Sequence, residues 1–210
     1  MKRMLAADGT ADHKDVDNYQ HQYYGPRMPI TADRTTRKPA SEAPPALSGT
    51  WVVDPQASHA RFLAGTFAGL VKTPGRFRSL SGDLVVGRAH AAGALVIDCA
   101  SIDTGNRMRD WHLRSRGFFD AKRHPQLRYA VHAISSRDRG TARIDGELIV
   151  GATQMSLPLD VTVHAPADGV VELACHAEVD RLALGIRGAK GMVPRVVQLD
   201  VAITLRQASA

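Results

Sequence analysis

The sequence predicts an all-β domain, an antiparallel sandwich or closed barrel, behind a disordered N-terminal arm. Three observations carry this reading. Apolar side chains alternate with a period of two in many separate runs between Thr50 and Leu205. Turn-forming residues punctuate those runs at Arg139-Gly140, Gly151-Ala152 and Pro166-Ala167-Asp168-Gly169. One stretch, Thr104 to about Arg123, breaks the rhythm. A period of two puts every second side chain on one face of an extended chain, the pattern of a strand with one face in a core. About eight to ten such runs fit between Thr50 and Leu205, the number expected of a sandwich or barrel.

The arm comes first. Residues 1–48 contain QHQYYGPRMP and RKPASEAPPALSG, rich in Pro, Ser, Gln and charge, with no sustained periodicity. Such a stretch has too little apolar surface to offset the entropy of ordering it. It carries seven basic and six acidic residues, so the +6 net charge of the 210-residue chain belongs mostly to residues 49–210. The apolar run Met4–Ala7 is too short for the core of a signal peptide, and no run of eighteen apolar residues exists. The expectation is a cytoplasmic protein with no transmembrane helix.

The strands follow. Gly93–Ala100 offers Leu95, Ile97 and Cys99 on one face, and residues 127–135 offer Leu127, Tyr129, Val131 and Ala133. Residues 156–164 place Leu157, Leu159, Val161 and Val163 together. Residues 196–205 do the same with Val197, Leu199, Val201, Ile203 and Leu205. Cys99 and Cys175 lie in strand-like runs far apart and read as buried thiols rather than a disulfide. No CxxC or HxxxH spacing suggests a metal, and the scattered histidines define no nucleophile–His–acid set.

The interrupting segment is too long for a hairpin turn and too apolar for a slack loop. Asp103 or Thr104 is placed to cap a short helix, with Met108, Trp111 and Ser115 on one side. A helix lying across the end of the barrel is the natural reading.

Ordered landmarks then give a family resemblance. Trp51-Val52-Val53-Asp54-Pro55 with Ser58 looks like a Trp-x-x-Asp-x-x-x-Ser opening strand. Gly75-Arg76-Phe77 and Leu80-Ser81-Gly82 follow. Then come Ser101–Asn106, Arg109-Asp110, His112-Leu113, Phe118-Phe119-Asp120 and His124-Pro125. Gly146-Glu147-Leu148 with Gly151-Ala152-Thr153, and Asp180-Arg181 with Leu184-Gly185-Ile186, complete the set. Together they resemble the YceI-like group of lipocalin-like, polyisoprenoid-binding proteins over nearly all of residues 49–206. The resemblance implies an extended antiparallel lipocalin-like β-barrel with a short helical lid. It also implies an apolar tunnel for an isoprenoid or similar amphiphile. Many relatives carry an export signal where this chain has its arm, and Leu184 stands where an aromatic is common.

On that basis Phe62, Phe67, Phe77, Arg109, Trp111, Leu113, Phe118, Phe119 and Ile186 are the candidate ligand-binding residues, with no catalytic residue. The segment Thr104–His124 holds six basic residues against two acidic ones. A cationic rim of this kind suits an anionic head group. Alternatives stand beside each role. The aromatics either line the ligand or fill the core, and Arg109 either meets a head group or serves a turn network, for instance by pairing with Asp110. GIRGAKGMVP, residues 185–194, is either an anion nest or a flexible hairpin. The leading function is a carrier for an isoprenoid, quinone or fatty-chain molecule that needs no cofactor. The alternatives are an enzyme acting on the lipid head through Asp103, Asp110 or His112, and a nucleic-acid binder, which the expected burial of the aromatics disfavours. A homodimer is possible.

Overall fold

The computed structural model describes residues 42–66, 71–88, 90–189 and 193–208. The described strands, in chain order, are β1 (Gly49–Val53), β2 (His59–Thr66), β3 (Val71–Phe77), β4 (Leu80–Val86), β5 (Ala91–Asp98) and β6 (Ile102–Asp103). After helix α1 (Arg107–Leu113) come β7 (Gln126–Ser136), β8 (Thr141–Val150), β9 (Thr153–Ser156), β10 (Leu159–Ala167), β11 (Val170–Asp180) and β12 (Val196–Gln207). Eight of them form an antiparallel barrel in the order β1-β4-β5-β7-β8-β10-β11-β12, which closes when β12 pairs with β1. Closure leaves the ring with no open edge.

β12 serves two partners along its length. Its final residues, Leu205–Gln207, pair with β1, and Gln198–Ala202 pair with β2. Between β1 and β2 the chain turns sharply, and the opening landmark builds that turn. Asp54 Oδ1 accepts the amides of Gln56 and Ala57, and Asp54 Oδ2 pairs with Arg206 at 2.6 Å. Ser58 Oγ accepts the Thr204 amide at 3.0 Å, the ladder bond that the turn interrupts. β2 then leads through β3 to β6, extending the sheet beyond the ring toward α1.

The sequence pattern needs three corrections. The alternation predicted through Ala133 changes phase, because a register shift between Val131 and Ala133 inserts an extra residue in β7. Beyond this bulge Ile134 is buried and Ala133 is exposed, since one unpaired residue flips the later side chains to the other face. The run 156–164 is two strands, split at Leu157-Pro158, where proline has no N–H for the ladder. The arm drawn to residue 48 ends earlier, because residues 42–48 belong to the barrel. Pro45–Leu47 forms a 3-10 turn, Leu47 is fully buried, and its carbonyl accepts the Trp51 indole N–H at 2.8 Å. The rest of the expected arm lies outside the described residues. Three of the turns fall where expected, with Gly140, Gly151 and Gly169 at positive φ.

Candidate functional site: the barrel cavity and its helical end

The inward faces of the eight ring strands enclose an apolar cavity of about 80 Å3. Its lining includes Val53, Leu84, Leu95, Tyr129, Val131, Ile144, Val161, Leu173, Cys175, Val201, Ile203 and Leu205, drawn from every strand of the ring. These are the alternate positions of the period-two runs, so strand parity alone aims them inward.

Tyr129 and Cys175 are the polar side chains at inward positions of this lining, and Asp83 borders it from an exposed position on β4. The Tyr129 phenol donates to the Leu157 carbonyl at 2.8 Å and lies 3.3 Å from the Ile144 carbonyl. Burial pushes its pKa further above the phenolic range. The Cys175 thiol is pushed up to about 12 by burial, reinforced by the negative charge of Asp200. Cys99 is also a free, buried thiol, pushed up to about 11 chiefly by burial. The inward side chains of the cavity therefore offer mainly shape and dispersion contacts, and its one bordering carboxylate, Asp83, sits at an exposed position.

Toward α1 the apolar side chains become aromatic. Leu199, the next inward position of β12 after the cavity-lining Val201, faces Phe62 across the β12–β2 ladder. The Phe62 and Phe77 rings meet at a tilt, 5.8 Å between centres, and Phe77 meets Phe119 edge-on at 5.7 Å. Gly75 sits opposite Phe62 in the β2–β3 ladder, and a Cβ there would collide with the Phe62 ring. The three phenylalanines thus pack on one another beyond the lining of the described cavity.

The helix is capped by Asn106, not by the expected Asp103 or Thr104. Asn106 Oδ1 accepts the amides of Met108 and Arg109, both at 3.1 Å. Thr104 instead ties the helix to the preceding turn. Its hydroxyl donates to Asp110 Oδ1 at 2.6 Å and accepts from Arg109 Nε at 2.8 Å, while Arg109 Nη2 donates to the Thr104 carbonyl. Arg109 and Asp110 thus meet through Thr104 rather than as the ion pair considered from sequence. Asp103 faces away from the cavity, bound to Arg78 at 2.7 Å and Arg76 at 3.0 Å. The Arg78 side chain first, then the Gly105 amide and Arg76, lower its pKa to about 2.

The expected inward face of the helix is also corrected. Met108 and Trp111 are 67% and 63% exposed, whereas Asp110 is buried and Leu113 packs on the core. Phe118 and Phe119 are half-buried against the same core. Of the nine candidates, Phe62, Phe77 and Phe119 come together, Leu113 and Phe118 pack beside them, and Ile186 is buried in the core. None of these lines the cavity. Trp111 stands outside, and Phe67 lies outside the described residues. Asp103, Asp110 and His112, the candidates for chemistry on a lipid head, also lie off the cavity lining. Among the described residues no group of three or more His, Cys, Asp or Glu has metal-holding geometry.

Sequence reasoning missed the role of Arg181. This buried guanidinium donates to four carbonyls, those of Pro194, Ile186, Gly188 and Val193, at 2.7 to 2.9 Å. The segment after β11 therefore turns its carbonyls inward around a cation, the opposite polarity to an anion nest. Asp180 supports the turn by accepting the Leu182 and Ala183 amides and pairing with Arg195 at 2.6 Å. Gly188 then donates to the Gly117 carbonyl at 2.6 Å and lies under the Phe118 ring, where a Cβ would clash. The adjacent Asp180-Arg181 pair before a glycine-rich stretch was the available signal.

A closed eight-stranded antiparallel barrel with an apolar interior defines a lipocalin-like binding fold. Residues 51–206 match the YceI-like domain family, and the chain belongs to it. It is similar to a UPF0312 protein of Shewanella baltica strain OS155, 27% identical over 132 residues, which cover 60% of this chain and 68% of that protein. A UPF0312 protein of Vibrio parahaemolyticus is 26% identical over 49% of this chain and 57% of its own length. Among solved structures, BcnA of Burkholderia cenocepacia superposes with a TM-score of 0.65 at 22% identity, covering 72% of this chain and 98% of that one. A polyisoprenoid-binding domain of Saccharophagus degradans gives 0.64 at 15% identity, covering 75% and 98%. At these identities the structural likeness speaks for the fold.

Proposed function

We propose that this protein is a carrier that binds a polyisoprenoid or another long-chain amphiphile by its tail. The observation that carries the reading is the apolar cavity lined by all eight ring strands. The name of the Saccharophagus degradans domain supports the ligand class. A cavity with such walls tends to stay dry and accept an apolar guest. Each methylene transferred into it contributes about 0.8 kcal/mol. A volume of about 80 Å3 accommodates only the end of such a chain. A longer tail enters by displacing the Phe62–Phe77–Phe119 rings, which joins the cavity to the α1 end. The head group then remains near the basic residues of the segment Thr104–His124. No turnover of the lipid is part of this reading, because the acids and histidine of the helical segment are off the cavity.

The test is native mass spectrometry of the protein as purified, then titration of the delipidated chain with detergent-dispersed polyprenyl phosphate and a prenylated quinone. A one-to-one complex with either supports the reading. An empty protein that takes up neither overturns it. Release of a free head group during the titration would instead favour lipid hydrolysis.

A further inference from the structure

We propose that the outer face of α1, with the loop tips beside it, is the surface by which this protein docks on an anionic lipid bilayer to load or release its guest. The proposal rests on the tail-binding reading above. Its starting point is the two most exposed large apolar side chains among the described residues, Met108 and Trp111. They are three positions apart on one helix and so share a face. That face is opposite Asp110 and Leu113, which hold α1 to the barrel. The fold therefore spends its inner helical surface on a buried carboxylate and a leucine, and leaves a tryptophan and a thioether in solvent.

The charges around that pair select the partner. Arg107 lies on the exposed side of α1. Arg116 precedes Gly117 and Arg187 precedes Gly188, and the 2.6 Å bond between these two glycines brings the two loop tips together. Lys122 and Arg123 are exposed on the same connection. Among the described residues none of these five cations forms an ion pair. Meanwhile two carboxylates nearest the helix are already engaged, Asp103 with Arg76 and Arg78, and Asp110 inside the Thr104 network. An exposed tryptophan set among unpaired cations matches the interface of an anionic bilayer, where the indole sits at head-group level and the cations meet the phosphates. The location fits as well. Phe119, on the connection that follows α1, meets Phe77 edge-on in the ring cluster past which a longer tail is proposed to enter. Docking by α1 would place that cluster on the side of the reservoir of a water-insoluble guest.

The experiment uses the full chain, delipidated, with vesicles that contain no polyisoprenoid. One set is phosphatidylcholine alone, and the other is phosphatidylcholine mixed with phosphatidylglycerol. Sedimentation reads binding, and Trp111 emission reads insertion. The expected result is binding to the mixed vesicles that weakens with salt, with a blue shift that vanishes in Trp111→Phe. Affinity should fall about fivefold for each cation removed in Arg107→Gln, Arg116→Gln and Arg187→Gln. It should fall by at least about tenfold in the double variant Met108→Ser, Trp111→Ser. These side chains are exposed, and unchanged thermal melting shows that the fold survives. Equal binding to both vesicle sets, no binding, or undiminished binding by the variants would overturn the proposal. So would preferential binding of a single-stranded oligonucleotide with no blue shift on vesicles, which would assign the surface to nucleic acid. Uptake from detergent is measured separately, so a carrier that fails to dock and a docking protein that binds no tail give different results.

Discussion

Around the cavity the barrel interior is made of valine, leucine and isoleucine on alternating strand positions, with space left among them. On β2, β3 and the segment after α1, outside the ring, lie Phe62, Phe77 and Phe119, whose rings pack on one another. The aliphatic part is held mainly by ladder hydrogen bonds, with the Tyr129 phenol on the Leu157 carbonyl among them. The aromatic part is held by side-chain networks, namely Thr104 with Arg109 and Asp110, Asp103 with two arginines, and Arg181 with four carbonyls. The contrast separates two jobs that a binding barrel must do. On the carrier reading we propose, the first region offers a volume that a chain can enter, and the second is where a longer tail would have to pass.

The most disruptive way to break this contrast is Arg181→Met. It removes the cation and orphans four carbonyls, one buried and three part-buried, so it should lower stability by about 3 kcal/mol. A urea melt measures it, and a midpoint unchanged from wild type would show that the carbonyl cage is dispensable. Next comes Phe119→Ala, which takes one ring out of the cluster past which a longer tail is proposed to enter. A loss of about 2–3 kcal/mol is expected for a half-buried phenylalanine. Uptake of a detergent-dispersed polyprenyl chain should speed up, as a stopped-flow trace would show. Slower or unchanged uptake would mean that the rings do not gate the cavity.

Val161→Phe sharpens the comparison from the other side, because it makes the aliphatic region aromatic. Overpacking should cost about 1–2 kcal/mol and abolish tail binding in the same titration. Retained binding would move the tail site out of the cavity. The smallest effect is electrostatic. The Asp103 carboxyl is held at about 2, against an ordinary 3.8, by Arg78, the Gly105 amide and Arg76. A depressed folded value means that its stabilising contribution is complete above the ordinary value and is lost as the pH falls toward about 2. Amide protection at Ile102 and Phe77, taken relative to the intrinsic exchange rate at each pH, should therefore fall between about pH 4 and pH 2, and Asp103→Asn should flatten that change. Asp54 and Asp180 are also held low, first by Arg206 and Arg195 respectively. Their acid sensitivity persists in the variant.

What the sequence revealed follows the same division. Period-two alternation placed Val161, Val201, Ile203 and Leu205 on inward faces, because a strand's parity is a local property. It failed at Ala133, where a bulge resets the parity and no residue type announces it. The aromatic cluster was partly legible, since Phe62, Phe77 and Phe119 were candidates on composition and family pattern. Their mutual contact depends on pairing between β2, β3 and the segment after α1, which single-strand periodicity does not encode. The direction of α1 was misread for a related reason. Met108 and Trp111 are the apolar pair at helical spacing, yet the barrel-facing side is set by Asp110 and its bonds to Thr104, a polar network that outweighs hydrophobic pattern over so short a helix. The landmark residues Asp54, Ser58, Asp180 and Arg181 turned out to be builders of turns and closures, which accounts for their wide spacing along the chain.

Ring closure between β1 and β12 has a consequence for how the molecule is made. Asp54 and Arg206 meet across 152 residues of chain, so the first strand of the barrel waits for the last. Contacts this distant in sequence form late and slowly. During synthesis, β1 and β11 stay as unsatisfied edges until β12 has been delivered between them, and such edges invite pairing with other chains. A chain stopped before Val196 would keep both edges permanently. Its fate would be aggregation or degradation rather than a smaller working barrel.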